Sequence, residues 1–482
     1  MTKMLAFRLR LATSFDSMKM QKANPITLWS SIIASGNLSK RVLVGVDAKA
    51  TWGELVYGTL LDCPTDQFRG KCVLLATTDQ FRASAALIQL DGMARRVVLF
   101  PPDVSLDHLA YVAKTAEADV LITDNAGTAS ARHGIGRVVM CGRSAVAPDA
   151  DREEQLETEW ILLTSGTTGQ PKLAVHTLGS LADSAWETNP NAAATVWSTF
   201  YDMRRYGGLH IFLHAALTGT SLVVSSALEP VADFLARAGA HGVTHISGTP
   251  SHWRRALMSP WADRIAPGYI RMSGEIVDQA ILNRVKAQFP QAKIEHTFAS
   301  TEAGVGFNVS DGLMGFPPEI LTRNPKIEMQ IEDGTLKIRS TRTATRYLVA
   351  ESPVLKDADG FVDTGDTVEL RNGRYYFTGR RDGTINVGGF KVHPEEVEAV
   401  INRHPQVAMS LVKAKKSPIT GSLVVADVVL NAAYTGSGPE ALRDGILQFC
   451  SAELDAHKVP VTINIVPMLT IAESGKLVRR DA

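Results

Sequence analysis

Ile161-Leu162-Leu163-Thr164-Ser165-Gly166-Thr167-Thr168-Gly169-Gln170-Pro171-Lys172 runs from an apolar strand into a loop of hydroxyls and glycines that closes on a lysine. Gly166 and Gly169 let backbone N–H groups turn toward an anion, Ser165, Thr167 and Thr168 add hydroxyls, and Lys172 adds a point charge. Such a loop suits a polyphosphate. The spacing G-x-x-x-x-G-K-[ST] of the other common phosphate loop is absent. By composition alone the same residues also make a flexible connector, so the meaning of the loop depends on its surroundings.

Upstream, from about residue 42 to 124, apolar strand-like runs alternate with helical patterns. Cys72-Val-Leu-Leu-Ala and Arg96-Val-Val-Leu-Phe read as buried strands with a helix over Phe81 to Leu90 between them, the signature of β-α-β units and a largely parallel sheet. A further helix is predicted from Gly274 to Phe289. Downstream the texture changes near Gly334. Thr335-Leu-Lys-Ile-Arg alternates as a strand, and Asn372-Gly373 marks a hairpin inside Val368 to Phe377. Gly379-Arg380-Arg381-Asp382-Gly383 is a charged joint, and Pro394 opens a short helix with Glu395 and Glu396 in its first turn. The expectation is an α/β protein with two domains. A large N-terminal domain (1–379) carries mainly parallel sheets and helices, and a small mobile α+β domain (380–482) follows a hinge near Asp382.

The 482 residues exceed what one hydrophobic core organises. Lys+Arg equals Asp+Glu at 50 each, which leaves no global field to recruit nucleic acid or an acidic membrane. No apolar run reaches the roughly 18 residues a membrane span requires. Cys63, Cys72, Cys141 and Cys450 show neither metal nor disulfide spacing, so a reducing, cytoplasmic setting is expected. Met1 to Lys22 is basic and reads as a loose leader with a faint likeness to a transit peptide.

Thr164 to Lys172 closely resembles the phosphate-binding motif of the adenylate-forming superfamily, which includes acyl-CoA synthetases, peptide-synthetase adenylation domains and luciferases. Four further segments resemble that family's motifs in the right order. Phe298-Ala-Ser-Thr-Glu302 is similar to Y-G-S-T-E; the resemblance implies that Thr301 touches the α-phosphate of ATP and Glu302 helps hold Mg²⁺. Phe361-Val-Asp-Thr-Gly-Asp366 resembles Y-R-T-G-D, which implies ribose binding by Asp366, with Asp363 in place of the arginine. Gly379 to Asp382 with Ile385 to Glu398 resembles the hinge and its following loop. It implies a ribose or phosphate contact for Arg380, a hinge at Asp382, and a pantetheine channel along Gly388 and Gly389. Thr470 to Arg479 resembles P-x-T-x-x-G-K-x-x-R and implies that Lys476 is catalytic, although Thr470 and Ala472 replace the proline and threonine.

Gly274 and Glu275 resemble the family's adenine-side loop, with Ser273 in place of its first glycine. The acyl-pocket segment, Phe200-Tyr-Asp-Met-Arg-Arg-Tyr-Gly-Gly-Leu209, lacks the histidine of many acyl-CoA ligases. Arg204 or Arg205 either faces the substrate and favours a polar or anionic acid, or points away and pairs with Asp202 or Glu187. Tyr206, Gly207, Ser247 and His296 are expected as further pocket walls. The resemblance implies an AMP-forming acid–thiol ligase that uses ATP, Mg²⁺ and coenzyme A on a small carboxylic acid. Two alternatives remain: a free-standing adenylation enzyme that loads phosphopantetheine on a separate carrier protein, and an inactive nucleotide-binding relative. The joint presence of Lys172, Glu302, Asp366 and Lys476 weighs against the last.

Overall fold

The computed structural model describes residues 26–36, 38–131, 133–146, 152, 155–164, 169–183, 194–348, 354–417, 420–431, 438–472 and 475–479. Ser165, Gly166, Thr167 and Thr168 of the phosphate loop, Glu187, and the basic leader lie outside the described residues.

Two eight-stranded sheets form the first part of the chain. In one, Cys72–Leu75 lies between Arg96–Leu99 and Val120–Thr123, all parallel, and Arg96–Leu99 is followed by Glu159–Thr164. Every residue of Cys72–Leu75, Arg96–Leu99 and Val120–Thr123 is buried. This explains their unbroken apolar character, since a parallel strand covered by helices has no water-facing side. The other sheet carries Ser221–Val224, Val196–Thr199, His245–Gly248, Tyr269–Ser273 and Lys293–Ser300 in parallel, and closes with the antiparallel strand Gly304–Val309. The helices Gln80–Leu90 and Tyr206–Thr218 share one continuous core with both sheets, in which Leu87, Phe212, Leu75 and Leu222 are fully buried.

The expected β-α-β unit is present, its helix beginning at Gln80 because the Asp79 side chain caps it by accepting from the Arg82 N–H at 2.7 Å. The helix predicted from Gly274 instead spans Gln279–Gln288. Gly274 has φ +84°, which breaks helical geometry, and Asp278 caps the start by accepting from the Ile281 N–H at 2.9 Å.

A four-stranded antiparallel sheet, in the order Ile327–Glu332, Thr335–Ser340, Val362–Arg371, Arg374–Arg380, contains the Asn372-Gly373 hairpin. Both turn residues have positive φ, 49° and 75°, the geometry that Asn-Gly favours. A separate five-stranded sheet begins at Ile385–Val387, with Phe390–Val392, Val407–Ser417, Gly421–Leu430 and Thr462–Ile465. The helices Pro394–Ile401 and Pro439–Glu453 pack on it around Val397, Ile401, Ile446 and Val428. Among the described residues no helix is long and apolar enough to cross a membrane, and all four cysteines are free thiols.

Candidate active site

The phosphate-loop segment is a hairpin mouth. Glu159–Thr164 pairs antiparallel with Lys172–His176, so Thr164 and Lys172 face each other across the loop. The buried Thr164 hydroxyl has no hydrogen-bond partner among the described residues, and Gly169 takes a positive φ of 81° with open space around it. A buried hydroxyl without a partner beside a lysine fits a loop that receives its hydrogen bonds from an anion. The Lys172 ammonium lies 5.4 Å from the centre of the Tyr347 ring.

The strand Lys293–Ser300 delivers Thr301 and Glu302 at its end. The Thr301 carbonyl accepts a hydrogen bond at 2.8 Å from Nε2 of His176, a fully buried residue on Lys172–His176. Because a carbonyl only accepts, Nε2 carries the proton and Nδ1 faces the Ser180 hydroxyl at 3.0 Å. Burial pushes the His176 imidazole down to about 4, so it stays neutral. The Tyr347 hydroxyl donates to Glu302 Oε1 at 3.2 Å, and the Glu302 carbonyl accepts from Ala344 N–H at 2.8 Å. His176 and Tyr347 thus fix the Thr301–Glu302 pair, and the sequence motifs named neither. Phe298 stacks on Phe377 at 5.1 Å and on Phe307 at 5.6 Å, which joins the strand to the four-stranded sheet.

Asp366 sits opposite Arg380 across the antiparallel pair that bears the Asn-Gly hairpin. Arg380 Nη1 is 3.9 Å from its carboxylate, donates to the Thr364 carbonyl at 3.1 Å, and Arg380 Nε reaches Asp382 at 3.1 Å. Burial pushes the Asp366 carboxyl up to about 6; the charges of Arg380 and Lys476 pull it back, while Asp382 and Glu302 add to the rise. Asp366, Lys476, Arg380, Asp382 and Glu302 therefore share one field, although they come from widely separated segments. Asp363, the departure from the family motif, pairs with Arg381 at 2.9 Å and accepts from the Gly365 N–H at 2.9 Å.

Lys476 reaches this field on a loop that the large domain grips. The Thr249 hydroxyl donates to the Gly475 carbonyl at 2.6 Å, and Leu477 N–H donates to Glu275 Oε1 at 3.1 Å. The other Glu275 oxygen accepts from Ser251 N–H at 2.9 Å, in the first turn of the helix Pro250–Met258. Both oxygens of Glu275 are thus engaged by the protein. The carboxylate ties the lysine loop to a helix end, where the dipole favours its charge, so any adenine-side contact of this loop would come from its backbone. Gly475 has φ +80°, and a Cβ there would overlap the His252 ring, so only glycine fits this seat. Beyond it, Arg479 bonds Glu398 through both terminal nitrogens, at 2.8 and 3.0 Å, and meets Glu395 at 3.0 Å. Gly274 supplies the left-handed turn beside Tyr201, whose hydroxyl donates to the Ser273 carbonyl at 2.6 Å.

Gly388 and Gly389 form the turn between Ile385–Val387 and Phe390–Val392, with φ of 59° and 93° and open space around both. Their turn is bonded within the small domain, Gly388 N–H to the Thr420 carbonyl at 2.9 Å and Gly389 N–H to Asn386 at 2.9 Å.

The acyl-pocket expectation needs one clear correction. Arg204 is fully buried, but its guanidinium closes back on Asp202, with Nε donating to Oδ1 at 2.8 Å, and bonds the carbonyls of Thr77 and Thr78. A guanidinium sealed from water must have its charge met, and Asp202 meets it, so Arg204 does not wait for a substrate. Arg205 likewise pairs with Asp103 at 2.6 Å. Tyr206 is buried at the start of the helix Tyr206–Thr218, and Gly207 lets that helix approach the Tyr201 ring, 3.3 Å from where a Cβ would lie. Ser247 is buried on its strand, and His296 faces the Leu313 carbonyl at 3.0 Å.

The chain belongs to the AMP-binding enzyme family. Residues 92–343 match that family, and residues 396–476 match the AMP-binding enzyme C-terminal domain. Among curated relatives it is 24% identical over 374 residues to a human protein described as acyl-coenzyme A synthetase ACSM1, mitochondrial, covering 68% of this chain and 62% of the relative. It is 26% identical over 370 residues to 4-hydroxybutyrate–CoA ligase 1 of Metallosphaera sedula, covering 70% and 63%. The chain thus spans somewhat over six-tenths of the length of these relatives. A solved benzoate CoA ligase from Burkholderia xenovorans LB400 superposes with a TM-score of 0.78 at 20% identity, covering 94% of this chain and 99% of that one, a likeness of fold.

Proposed function

We propose that this protein uses ATP to convert a carboxylic acid to its acyl-adenylate, releasing pyrophosphate, and then transfers the acyl group to the thiol of coenzyme A. The observation that carries this reading is the docking of the Lys476 loop. Thr249 and Glu275 clamp its two sides, so that a cation from the small domain acts on Asp366 beside Glu302 and Arg380. A carboxylate attacking the α-phosphate brings two anions together, and positioned positive charge is what that step requires. Lys476 supplies it at the reacting centre, Thr301 donates to the α-phosphate, and Asp366 accepts from the ribose hydroxyls. Thr164, Lys172 and the intervening loop bind the β- and γ-phosphates.

The residues fit a magnesium ion. Tyr347 engages only Oε1 of Glu302, which leaves Oε2 for a hard, hydrated cation that shares its shell with phosphate oxygens. Bound there, it would neutralise charge on the polyphosphate. Asp382 is the hinge of the second half-reaction, in which the small domain withdraws Lys476 and offers the open turn at Gly388 and Gly389 to the pantetheine thiol. The descriptions of the curated relatives as acyl-coenzyme A synthetase and CoA ligase favour coenzyme A over a carrier protein as acceptor.

ATP–pyrophosphate exchange across a panel of carboxylic acids, followed by thioester formation with free coenzyme A, tests the reading. Exchange with no acid would remove the adenylation activity. Exchange without acyl-CoA formation would move the acceptor to a carrier protein.

A further inference from the structure

The strand Tyr269–Ser273 places Ile270 and Met272 in a core with the helices Val231–Ala240, Pro250–Met258 and Gln279–Gln288. Its alternate residues Tyr269, Arg271 and Ser273 face the other way, toward the helix Tyr206–Thr218. On that side Arg271 lies level with Ser247 and Glu295 of the neighbouring strands. Its Nε donates to Thr297 Oγ1 at 2.8 Å, and Thr297 in turn donates to Asn308 Oδ1 at 2.8 Å. Its Nη1 is 3.5 Å from Nδ1 of His210, which burial and the Arg271 charge hold well below its ordinary pKa and so neutral.

Arg271 lacks a carboxylate. Arg96, Arg204, Arg237 and Arg254, also set into this domain, each meet one: Glu159, Asp202, Glu229 and Asp278. Among the described residues none lies within ion-pair distance of Arg271. Glu295, its neighbour in register, is engaged by the Tyr269 hydroxyl at 2.7 Å and by Lys293 at 3.4 Å. Arg342, a second cation whose charge acts on His210, is already paired with Asp183 at 2.9 Å. Arg271 Nη2 makes no hydrogen bond with any described residue, and the side chain is only half-buried. A guanidinium with a free donor, whose hydrogen-bond contacts are the neutral Thr297 and His210, is a receptor for an anion.

Its position says which anion. Arg271 stands two residues, about 6–7 Å of strand, behind Ser273, where the strand ends at the Gly274 turn. Tyr206 and His210 flank it from the helix, their rings stacked 6.4 Å apart. An acid whose reacting carboxyl lies near Thr301 and Lys476 would send its far end toward this guanidinium. Accepting the proposed adenylation, we infer that Arg271, supported by Thr297, selects acids carrying a second carboxylate at the end distal to the one activated.

The test compares wild type, Arg271→Met and Arg271→Lys on three acids of one carbon skeleton, ending in a carboxylate, a hydroxyl or a methyl group. Binding of each acid is measured by calorimetry with a non-hydrolysable ATP analogue, and turnover by pyrophosphate exchange. The expected result is that wild type favours the dicarboxylic acid by at least ~10²-fold in affinity and in kcat/KM. Arg271→Met should abolish that preference and raise acceptance of the methyl acid, and Arg271→Lys should retain part of the preference. A wild-type preference for the hydroxyl or methyl acid, or a dicarboxylate preference unchanged in Arg271→Met, overturns the inference. Dicarboxylate binding that depends on Arg271 without any exchange would uphold this site while refuting adenylation, so the two readings fail separately.

Discussion

Lys476 and Asp366 are the two residues whose chemistry can be tested one at a time. In the proposed reaction Lys476 carries the positive charge to the meeting point of two anions, so Lys476→Ala should reduce adenylate formation by at least ~10²-fold, the scale of losing one preorganised electrostatic donor. Thioester formation from supplied acyl-adenylate should survive far better; an equal loss in both half-reactions would contradict the assignment. Asp366 gives a pH prediction with a definite sign. Its carboxyl is raised to about 6, so the carboxylate proposed to accept from ribose is present above that pH and is lost as pH falls through it. ATP affinity should therefore weaken below pH 6, by roughly tenfold per pH unit, because the proton competes with the nucleotide. Asp366→Asn should bind weakly at all pH values and lose this slope, which separates the effect from titration of ATP itself. These two residues were legible in the sequence because each stands inside a short contiguous motif. His176 and Tyr347 were not, since their roles depend on partners 125 and 45 positions away and nothing local marks them. Arg204 was the ambiguous case. Whether it would face a ligand or turn back to Asp202, two residues before it, is decided by the loop geometry and not by composition.

Among the elements, the helix Pro250–Met258 does more than fill the core. Its N-cap Thr249 uses one hydroxyl twice, accepting from His252 N–H at 3.0 Å and donating to the Gly475 carbonyl, so helix capping and lysine-loop docking are the same interaction network. Glu275 adds the second clamp from the turn that follows Tyr269–Ser273. Removing it by Glu275→Ala leaves the Leu477 and Ser251 N–H groups without their acceptor and should cost about 1–3 kcal/mol of docking. That corresponds to a fall of roughly 5- to 150-fold in adenylation kcat/KM, with the thioester half-reaction spared. Measuring both half-reactions checks this, and a variant that loses them equally would show that Glu275 serves the fold and not the docked state. Local signals located the hairpin, because Asn372-Gly373 adopts the positive φ values its turn needs. They misplaced the start of Gln279–Gln288, because Gly274 and Glu275 belong to a turn whose purpose is visible only once Leu477, 202 positions away, is in place.

At the scale of the whole molecule, polar contacts tie the small domain to the large one, among them an Arg371–Glu396 ion pair at 3.6 Å. Arg284 donates to the Ala408 carbonyl at 3.1 Å and Asn402 to Asp278 at 3.3 Å, while the Lys476 loop has its two clamps. Each body has its own core, with Val397, Val412 and Ile446 buried in one and Trp253, Ile270 and Ile281 in the other. An interface built from separate hydrogen bonds can be exchanged for another at small cost, as the two proposed half-reactions on one site would require. The joint itself is short. The four-stranded sheet ends at Arg380, the five-stranded sheet begins at Ile385, and Arg381–Gly383 form a single exposed turn between them. Among the described residues the Asp382 side chain is tied only to Arg380, through a pair more than half exposed on both sides and therefore weak. Proline at 382 would fix φ and restrict the proposed rotation that would carry Lys476 out and the Gly388-Gly389 turn in. Asp382→Pro should therefore preserve one half-reaction, adenylation if it freezes the docked arrangement, and reduce the other by at least ~10²-fold. Pre-steady-state measurement of pyrophosphate release and of thioester formation from supplied adenylate distinguishes the two; unchanged rates in both would place the hinge elsewhere.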